Sequence, residues 1–136
     1  MPGLSGSRID HLNLPVPDLG ASTAFYTAAL APLGIVPLID VPAGPTQKAM
    51  QAFGIHPKPF FWLVASGAEG PRYDADTHVA FTADDRATVD AFHEAALAAG
   101  ARSLRGPGVW VGYHPHYYGA FVAGPDGVNV EAVCHR

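Results

Sequence analysis

Apolar and polar residues alternate with a period of two in several short stretches of this chain and recur with a helical period in two longer ones. Residues 9–16 and 77–82 alternate as strands do, since successive side chains of a strand point to opposite faces. Each stretch is followed by an aspartate, Asp18 or Asp85, and then by a segment with apolar residues at helical spacing. The pattern predicts a strand, an N-cap and a helix, written twice.

The two copies align without a gap at an offset of 67 residues, which places His11 on His78 and Asp18 on Asp85. Further strand-like stretches follow each predicted helix, at 38–41, 51–55 and 60–65 in the first copy and at 101–104, 117–123 and 128–134 in the second. Each copy therefore has the order βαβββ, and the expected fold class is α+β.

The repeat divides one expected domain, residues 1–136, into a first module at 8–66 and a second module at 75–135. Half a domain of roughly 65 residues buries too little apolar surface to be stable alone. The two modules are therefore expected to bury surface against each other, or across a dimer.

Strand parity assigns several polar side chains to the sheet faces that point away from the helices. In the first strand of each copy the alternate apolar residues take the helix side, and the last strand of the second copy follows the same rule. The polar residues assigned to the opposite, concave face are His11, Asn13, His78, Asn129 and Glu131. Two imidazoles and one carboxylate thus share a face.

This donor set admits two interpretations. Two histidines and one carboxylate suit a divalent Fe, Mn, Ni, Co or Zn ion, and Glu131 among valines would be costly to bury without a partner. Alternatively, His11 and His78 are hydrogen-bonded cleft residues and Glu131 pairs with an arginine such as Arg8 or Arg102. Without the repeat the second interpretation is favoured, and the repeat favours the metal site.

Residues 110–118 concentrate aromatic and titratable side chains just before a predicted strand. Within this segment His116 and Tyr118 lie nearest the strand, which makes them the candidates for a general acid or base. The same segment is equally typical of a rim or dimer contact packed with aromatic rings. The candidate substrate contacts are Asn13, Trp62, Tyr113 and Asn129.

Composition narrows the setting further. The formal charge of -4, with scattered lysines and arginines, leaves no basic patch for phosphates, so nucleic acid is not an expected partner. The single cysteine, Cys134, cannot form an intramolecular disulfide. No apolar run reaches the roughly 18 residues of a membrane span, and no leader pattern opens the chain. A cytoplasmic protein without membrane contact is expected.

Three stretches of the chain together resemble a known family. They are IDHLNLPVPDLGASTAFYTAAL at 9–30, THVAFTADDRATVDAFHEAALAAGA at 77–101 and GAFVAGPDGVNVEAV at 119–133. The most specific element is the GPDG turn followed two strand positions later by Asn129 and Glu131. These stretches look like the vicinal oxygen chelate superfamily, which contains glyoxalase I, bleomycin-resistance proteins, methylmalonyl-CoA epimerase and extradiol dioxygenases.

The resemblance implies that His11, His78 and Glu131 are metal ligands. It also implies that the paired modules form an open, cup-shaped mixed sheet with the helices outside. The chain departs from glyoxalase I and the epimerases at 60–65, where those proteins place a further acidic or amide ligand and this chain has none. Three protein donors are closer to the arrangement of the extradiol dioxygenases.

The leading hypothesis is an enzyme that uses a divalent transition metal as a Lewis acid toward a small substrate with two adjacent oxygens. It would be a lyase or isomerase, or a ring-cleaving dioxygenase, and a homodimer is expected. The first alternative is a metal-free protein that sequesters a drug or metabolite, as bleomycin-resistance proteins do. The second is an accessory or structural dimer with a vestigial site.

Overall fold

Two four-stranded mixed sheets, each packed against one α-helix, make up the computed structural model, which describes residues 6–136. The first half contains β1 (Leu12–Val16), α1 (Leu19–Leu30), a 3-10 turn (Ala31–Leu33), β2 (Val36–Val41), β3 (Met50–Ile55) and β4 (Lys58–Ala65). The second half contains β5 (His78–Thr82), α2 (Arg86–Ala98), β6 (Arg102–Val109), β7 (Tyr118–Ala123) and β8 (Asn129–Cys134). The α+β class and the βαβββ order of both copies are confirmed.

The two sheets have the same topology. Their strand orders are β1-β4-β3-β2 and β5-β8-β7-β6, with β1 parallel to β4, β5 parallel to β8, and the other pairs antiparallel. The first strand of each module is therefore an edge strand that lies beside the last strand of that module. This pairing sets the β5 residues that carry polar side chains beside β8.

The helix boundaries follow the local signals in the sequence. The side chain of Asp18 accepts a hydrogen bond from the backbone N–H of Ala21 at 3.0 Å, and that of Asp85 accepts one from Thr88 at 2.7 Å. After the helical segments Gly34 has φ of 77° and Gly100 has φ of 100°, the left-handed region that glycine adopts without a Cβ penalty. Both predicted caps are confirmed.

The two modules share one apolar core on the helix side of the sheets. Within the first module, Tyr26 of α1 packs edge-on against Phe61 of β4, with the ring centroids 5.0 Å apart. Between the modules, Phe61 meets Phe81 of β5 edge-on at 5.3 Å. None of the helices in residues 6–136 combines the length and apolar character needed to cross a bilayer.

Replacing Phe81 by alanine tests whether this aromatic contact couples the modules. The phenyl ring is 7% exposed, so its removal leaves a cavity at the junction. We expect the free energy of unfolding, measured by urea denaturation, to fall by about 3 kcal/mol.

The control for this measurement is Val111→Ala, because Val111 is 73% exposed. Its effect should stay within about 0.5 kcal/mol. Equal losses for the two variants would show that the junction contributes little to stability.

Candidate functional site

A histidine and a glutamate meet on the face of the second sheet that points away from α2. The parallel pairing of β5 with β8 sets Ala80 beside Glu131, and it leaves His78 one pleat away on the same face. The Nε2 atom of His78 lies 2.7 Å from Oε1 of Glu131. The side chain of Glu131 is completely buried, whereas that of His78 is 37% exposed. The imidazole is therefore the solvent-facing member of the pair.

A third side chain, Tyr117, completes the cluster from the segment before β7. The hydroxyl of Tyr117 donates a hydrogen bond to Oε2 of Glu131, so each carboxylate oxygen has its own partner. Gly119 lies under this contact, since a Cβ at that position would stand 2.9 Å from Oε2 of Glu131 and 3.3 Å from Cε1 of Tyr117. The glycine leaves the room that the carboxylate occupies.

The electrostatics of the cluster are dominated by the burial of the carboxylate. Burial raises the pKa of Glu131, and the hydrogen bond from Tyr117 together with the nearby His78 opposes this shift only in part. Burial and the contact with Glu131 also raise the pKa of Tyr117. Among residues 6–136 no lysine or arginine forms an ion pair with Glu131, so the interpretation in which Arg8 or Arg102 pairs with it is wrong.

The cluster has the chemistry of an incomplete cation site. A buried carboxylate whose neighbours are a tyrosine hydroxyl and an imidazole has no lysine or arginine to balance its charge among residues 6–136, and a divalent cation would balance it. An imidazole nitrogen and a carboxylate oxygen that lie 2.7 Å apart are also ligand types that divalent Mn, Fe, Co, Ni and Zn accept. His78 and Glu131 therefore fit the ion that the resemblance implies.

His11 lies on the other sheet, just before β1, and does not join this pair. Its Nδ1 atom is 2.7 Å from Oδ2 of Asp10, whose other oxygen accepts a hydrogen bond from Lys58. A cavity of about 310 Å³ at this position is lined also by Asn13 and Trp62. Three of the predicted site residues, His11, Asn13 and Trp62, thus form a second group on the first sheet.

Consequently one chain brings together only two of the three predicted ligands. No group of three or more His, Cys, Asp or Glu residues within residues 6–136 is placed to hold a metal ion. The strand register shows why the first sheet has no carboxylate equivalent to Glu131. The pair Asn13 and Trp62 of the first sheet is equivalent to the pair Ala80 and Glu131 of the second. Where the second sheet has a carboxylate, the first has an indole.

The remaining predicted site residues lie in different surroundings. The hydroxyl of Tyr118 donates to Asp90 of α2 at 2.6 Å, and the guanidinium of Arg86 stacks on its ring, so Tyr118 faces the helix and not Glu131. His116 is exposed. The Nδ2 atom of Asn129 donates to the carbonyl of Ala75 at 3.4 Å, while its buried Oδ1 has no hydrogen-bond partner among the described residues.

Tyr117 and a histidine pair beside it are not among the residues predicted from the sequence to form the site. Nε2 of His114 lies 2.6 Å from Nδ1 of His135, with the two rings stacked at 4.9 Å. Partial desolvation, and then the charge that His135 can carry, lower the pKa of His114. Parity offered a signal for Tyr117 and His135, since Tyr117 directly precedes β7 with the parity of Gly119, and His135 directly follows β8 with the parity of Glu131.

Comparison with known proteins agrees with this architecture. The model of the Glyoxalase/Bleomycin resistance protein/Dioxygenase superfamily matches residues 8–132. The chain belongs to this superfamily, which confirms the resemblance seen in the sequence. No curated protein matches the chain significantly.

Solved structures of similar fold include two bacterial proteins of matching length. A glyoxalase/bleomycin resistance protein from Albidiferax ferrireducens T118 is 26% identical with a TM-score of 0.71, covering 93% of this chain and 98% of that chain. A glyoxylase/bleomycin resistance protein/dioxygenase domain from Frankia sp. EAN1pec is 20% identical with a TM-score of 0.74, covering 97% and 100%. The chain also matches glyoxalase I from Zea mays at 23% identity and a TM-score of 0.71, over 95% of this chain but 44% of that one.

Gly119→Ala tests the tight packing under the carboxylate. A methyl group 2.9 Å from Oε2 of Glu131 must displace the carboxylate or the strand. We expect the free energy of unfolding to fall by about 1–3 kcal/mol in urea denaturation.

Gly108→Ala is the matched control, since Gly108 pairs with Gly119 across β6 and β7 and an added Cβ there meets nothing within 4 Å. Its effect should lie within about 0.5 kcal/mol. A Gly119 variant as stable as the Gly108 variant would contradict the tight packing.

Proposed function

We propose that this protein is a metal-dependent enzyme of its superfamily. A divalent transition metal is held by His78 and Glu131 of one chain and by His11 of a second copy of the chain. The observation that carries the proposal is the fully buried carboxylate of Glu131, which lies 2.7 Å from a part-exposed imidazole nitrogen and forms no ion pair with a lysine or arginine within residues 6–136. A bound cation would balance that charge.

The need for a second copy follows from the separation of the two groups in one chain. The first strand of each sheet, β1 and β5, is an edge strand with unpaired backbone groups. Beside these edges Ile9 is 77% exposed and Leu12 is 41% exposed. An open apolar cavity of about 360 Å³ is lined by these two residues and by residues of β5. Burial of such edges in a homodimer would bring the first sheet of one copy to the second sheet of the other.

In this arrangement each side chain has a defined task. His78 and Glu131 of one copy would hold the ion, and His11 of the second copy would be its third protein ligand. The ion supplies Lewis-acid chemistry toward a substrate that chelates it through two adjacent oxygens. Trp62 and Asn13, which share the cavity of His11, contact the body of the substrate.

The loop before β7 supplies the other wall of the site. Tyr113 packs its ring against Tyr117 at 4.7 Å and is 60% exposed, so its outer face is open to a planar group of the substrate. Asn129 lies beside His78 in the sheet, and its buried Oδ1 has no hydrogen-bond partner among the described residues. Rotation of this amide on substrate binding would let Oδ1 accept a hydrogen bond from the substrate. His116, exposed on the same loop, is the residue proposed to carry a proton between the substrate and the solvent. The proposed reaction class is a lyase or isomerase reaction, or ring-cleaving dioxygenation.

Metal content provides the direct test. Protein purified without chelator should contain a divalent transition metal, measured by elemental analysis, and should bind it after removal and reloading in a calorimetric titration. His78→Ala and Glu131→Gln each delete a ligand and should weaken the affinity by more than about 100-fold, beyond the loss typical of outer-sphere partners.

His93→Ala is the control for these variants, because His93 lies on α2 and contacts Ser103 away from the cluster. Its affinity should equal that of the wild type. Less than about a tenth of an equivalent of metal, unchanged in the ligand variants, would contradict the proposal. Tight binding of an aromatic cation without metal would then favour the sequestering protein.

Mixing two inactive variants tests whether the ligands come from two chains. His11→Ala and His78→Ala homodimers each lack a ligand in both sites. After joint refolding, heterodimers should contain one complete site and one doubly depleted site, so about a quarter of the sites recover metal affinity.

Each variant refolded alone supplies the baseline for this mixing experiment. Recovery in the mixture only would locate the three ligands on two chains. A mixture that binds no more metal than its components would contradict a shared site.

A further inference from the structure

The two oxygens of the Glu131 carboxylate are not equivalent. Oε1 faces Nε2 of His78 at 2.7 Å, while Oε2 accepts the hydrogen bond of the Tyr117 hydroxyl. Of the two oxygens, Oε1 is the one that faces the imidazole nitrogen. An ion bound through both oxygens would compete with the Tyr117 hydroxyl for the lone pairs of Oε2.

The ring of Tyr117 is fixed from three sides. Tyr113 packs against it edge-on at 4.7 Å, and the rings of His135 and His114 contact it at 5.4 and 5.6 Å. Edge-on aromatic contacts of this kind restrict the rotation of a ring. They support the orientation in which the Tyr117 hydroxyl is directed at Oε2 of Glu131.

The floor of the site restricts the carboxylate as well. The backbone of Gly119 passes so close to Oε2 that even a methyl group would touch it at 2.9 Å. Glu131 is also completely buried, so its side chain has no solvent-filled space into which it can turn. Hydrogen bond, strand and burial together leave one orientation of the carboxylate.

We infer that Tyr117 is a positioning residue that makes Glu131 a one-oxygen ligand. This inference rests on the proposed function. It assigns Oε1 to the ion and keeps Oε2 on the protein, so each of the three protein ligands donates a single atom. Carboxylates bind divalent ions through one or two oxygens, and the choice determines how many positions remain for other ligands. A carboxylate bound through one oxygen would leave coordination positions of the ion open for a substrate with two adjacent oxygens.

Tyr117→Phe tests the inference, because it removes the hydroxyl and keeps the ring in its aromatic contacts. Outer-sphere partners of metal ligands are worth about 10- to 100-fold in metal affinity, so the affinity for Co²⁺ or Zn²⁺ should fall by that factor in a calorimetric titration. Infrared difference spectra with and without the ion should show a smaller separation between the two carboxylate stretching bands in Tyr117→Phe than in the wild type. A smaller separation is expected when both oxygens bind the ion.

The neighbouring tyrosine offers a matched control. The hydroxyl of Tyr118 also donates to a carboxylate, that of Asp90, but on the opposite face of the sheet. Tyr118→Phe should therefore keep both the metal affinity and the infrared spectrum of the wild type. Circular dichroism of all variants checks that they are folded.

Gly119→Ala supplies a second variant that acts on the same oxygen from the other side. It should also weaken metal binding, and the double variant with Tyr117→Phe should lose little more than either single variant, since both disturb Oε2. Fully additive losses would overturn a shared effect on Oε2.

The outcomes separate the inference from the proposed function. If the wild type binds no divalent ion, the proposed function is wrong and the inference falls with it. If the wild type binds the ion and Tyr117→Phe binds it as tightly, with an unchanged infrared spectrum, only the positioning role is overturned. Weaker binding confined to Tyr117→Phe and Gly119→Ala supports the inference.

Discussion

The polar contacts of the second sheet centre on one buried carboxylate, that of Glu131. Glu131 has no exposed surface, and it is stabilised there by a hydrogen bond on each oxygen, one to His78 and one from Tyr117. These contacts do not fully compensate the burial, because the pKa of the carboxyl group remains raised. The hydrogen bonds of His78 and Tyr117 and the close approach of the Gly119 backbone all accommodate this one carboxylate.

The two modules have the same strand order but different side chains at equivalent positions of their sheets. A histidine lies directly before β1 and another at the start of β5, but the register sets Trp62 where the second sheet has Glu131. His11 therefore has a local acidic neighbour, Asp10, and lacks a carboxylate across the strand pair. The two halves therefore differ at one equivalent position, which holds the carboxylate of Glu131 in the second sheet and the indole of Trp62 in the first.

Most of the fold could be predicted from the sequence because its signals are local. The aspartate caps, the glycine stops and the strand alternation depend on neighbouring residues, and parity within β5 and β8 sufficed to put His78 and Glu131 on one face. The separation of His11 from His78 and Glu131 could not be predicted. The relative placement of two sheets does not produce a periodic pattern of apolar residues in the sequence. Tyr117 was missed in favour of Tyr118 because a shift of one residue at the start of a strand exchanges its two faces.

The replacement of a carboxylate by Trp62 in the first sheet has a consequence for divergence within such proteins. Within residues 6–136 the side-chain hydrogen bonds to the Glu131 carboxylate involve His78 and Tyr117, and neither residue lines the first-sheet cavity. If His11 is kept as the proposed ligand, other residues of that wall, such as Asn13 and Trp62, can be replaced to fit a molecule of another shape without removing a hydrogen bond of Glu131.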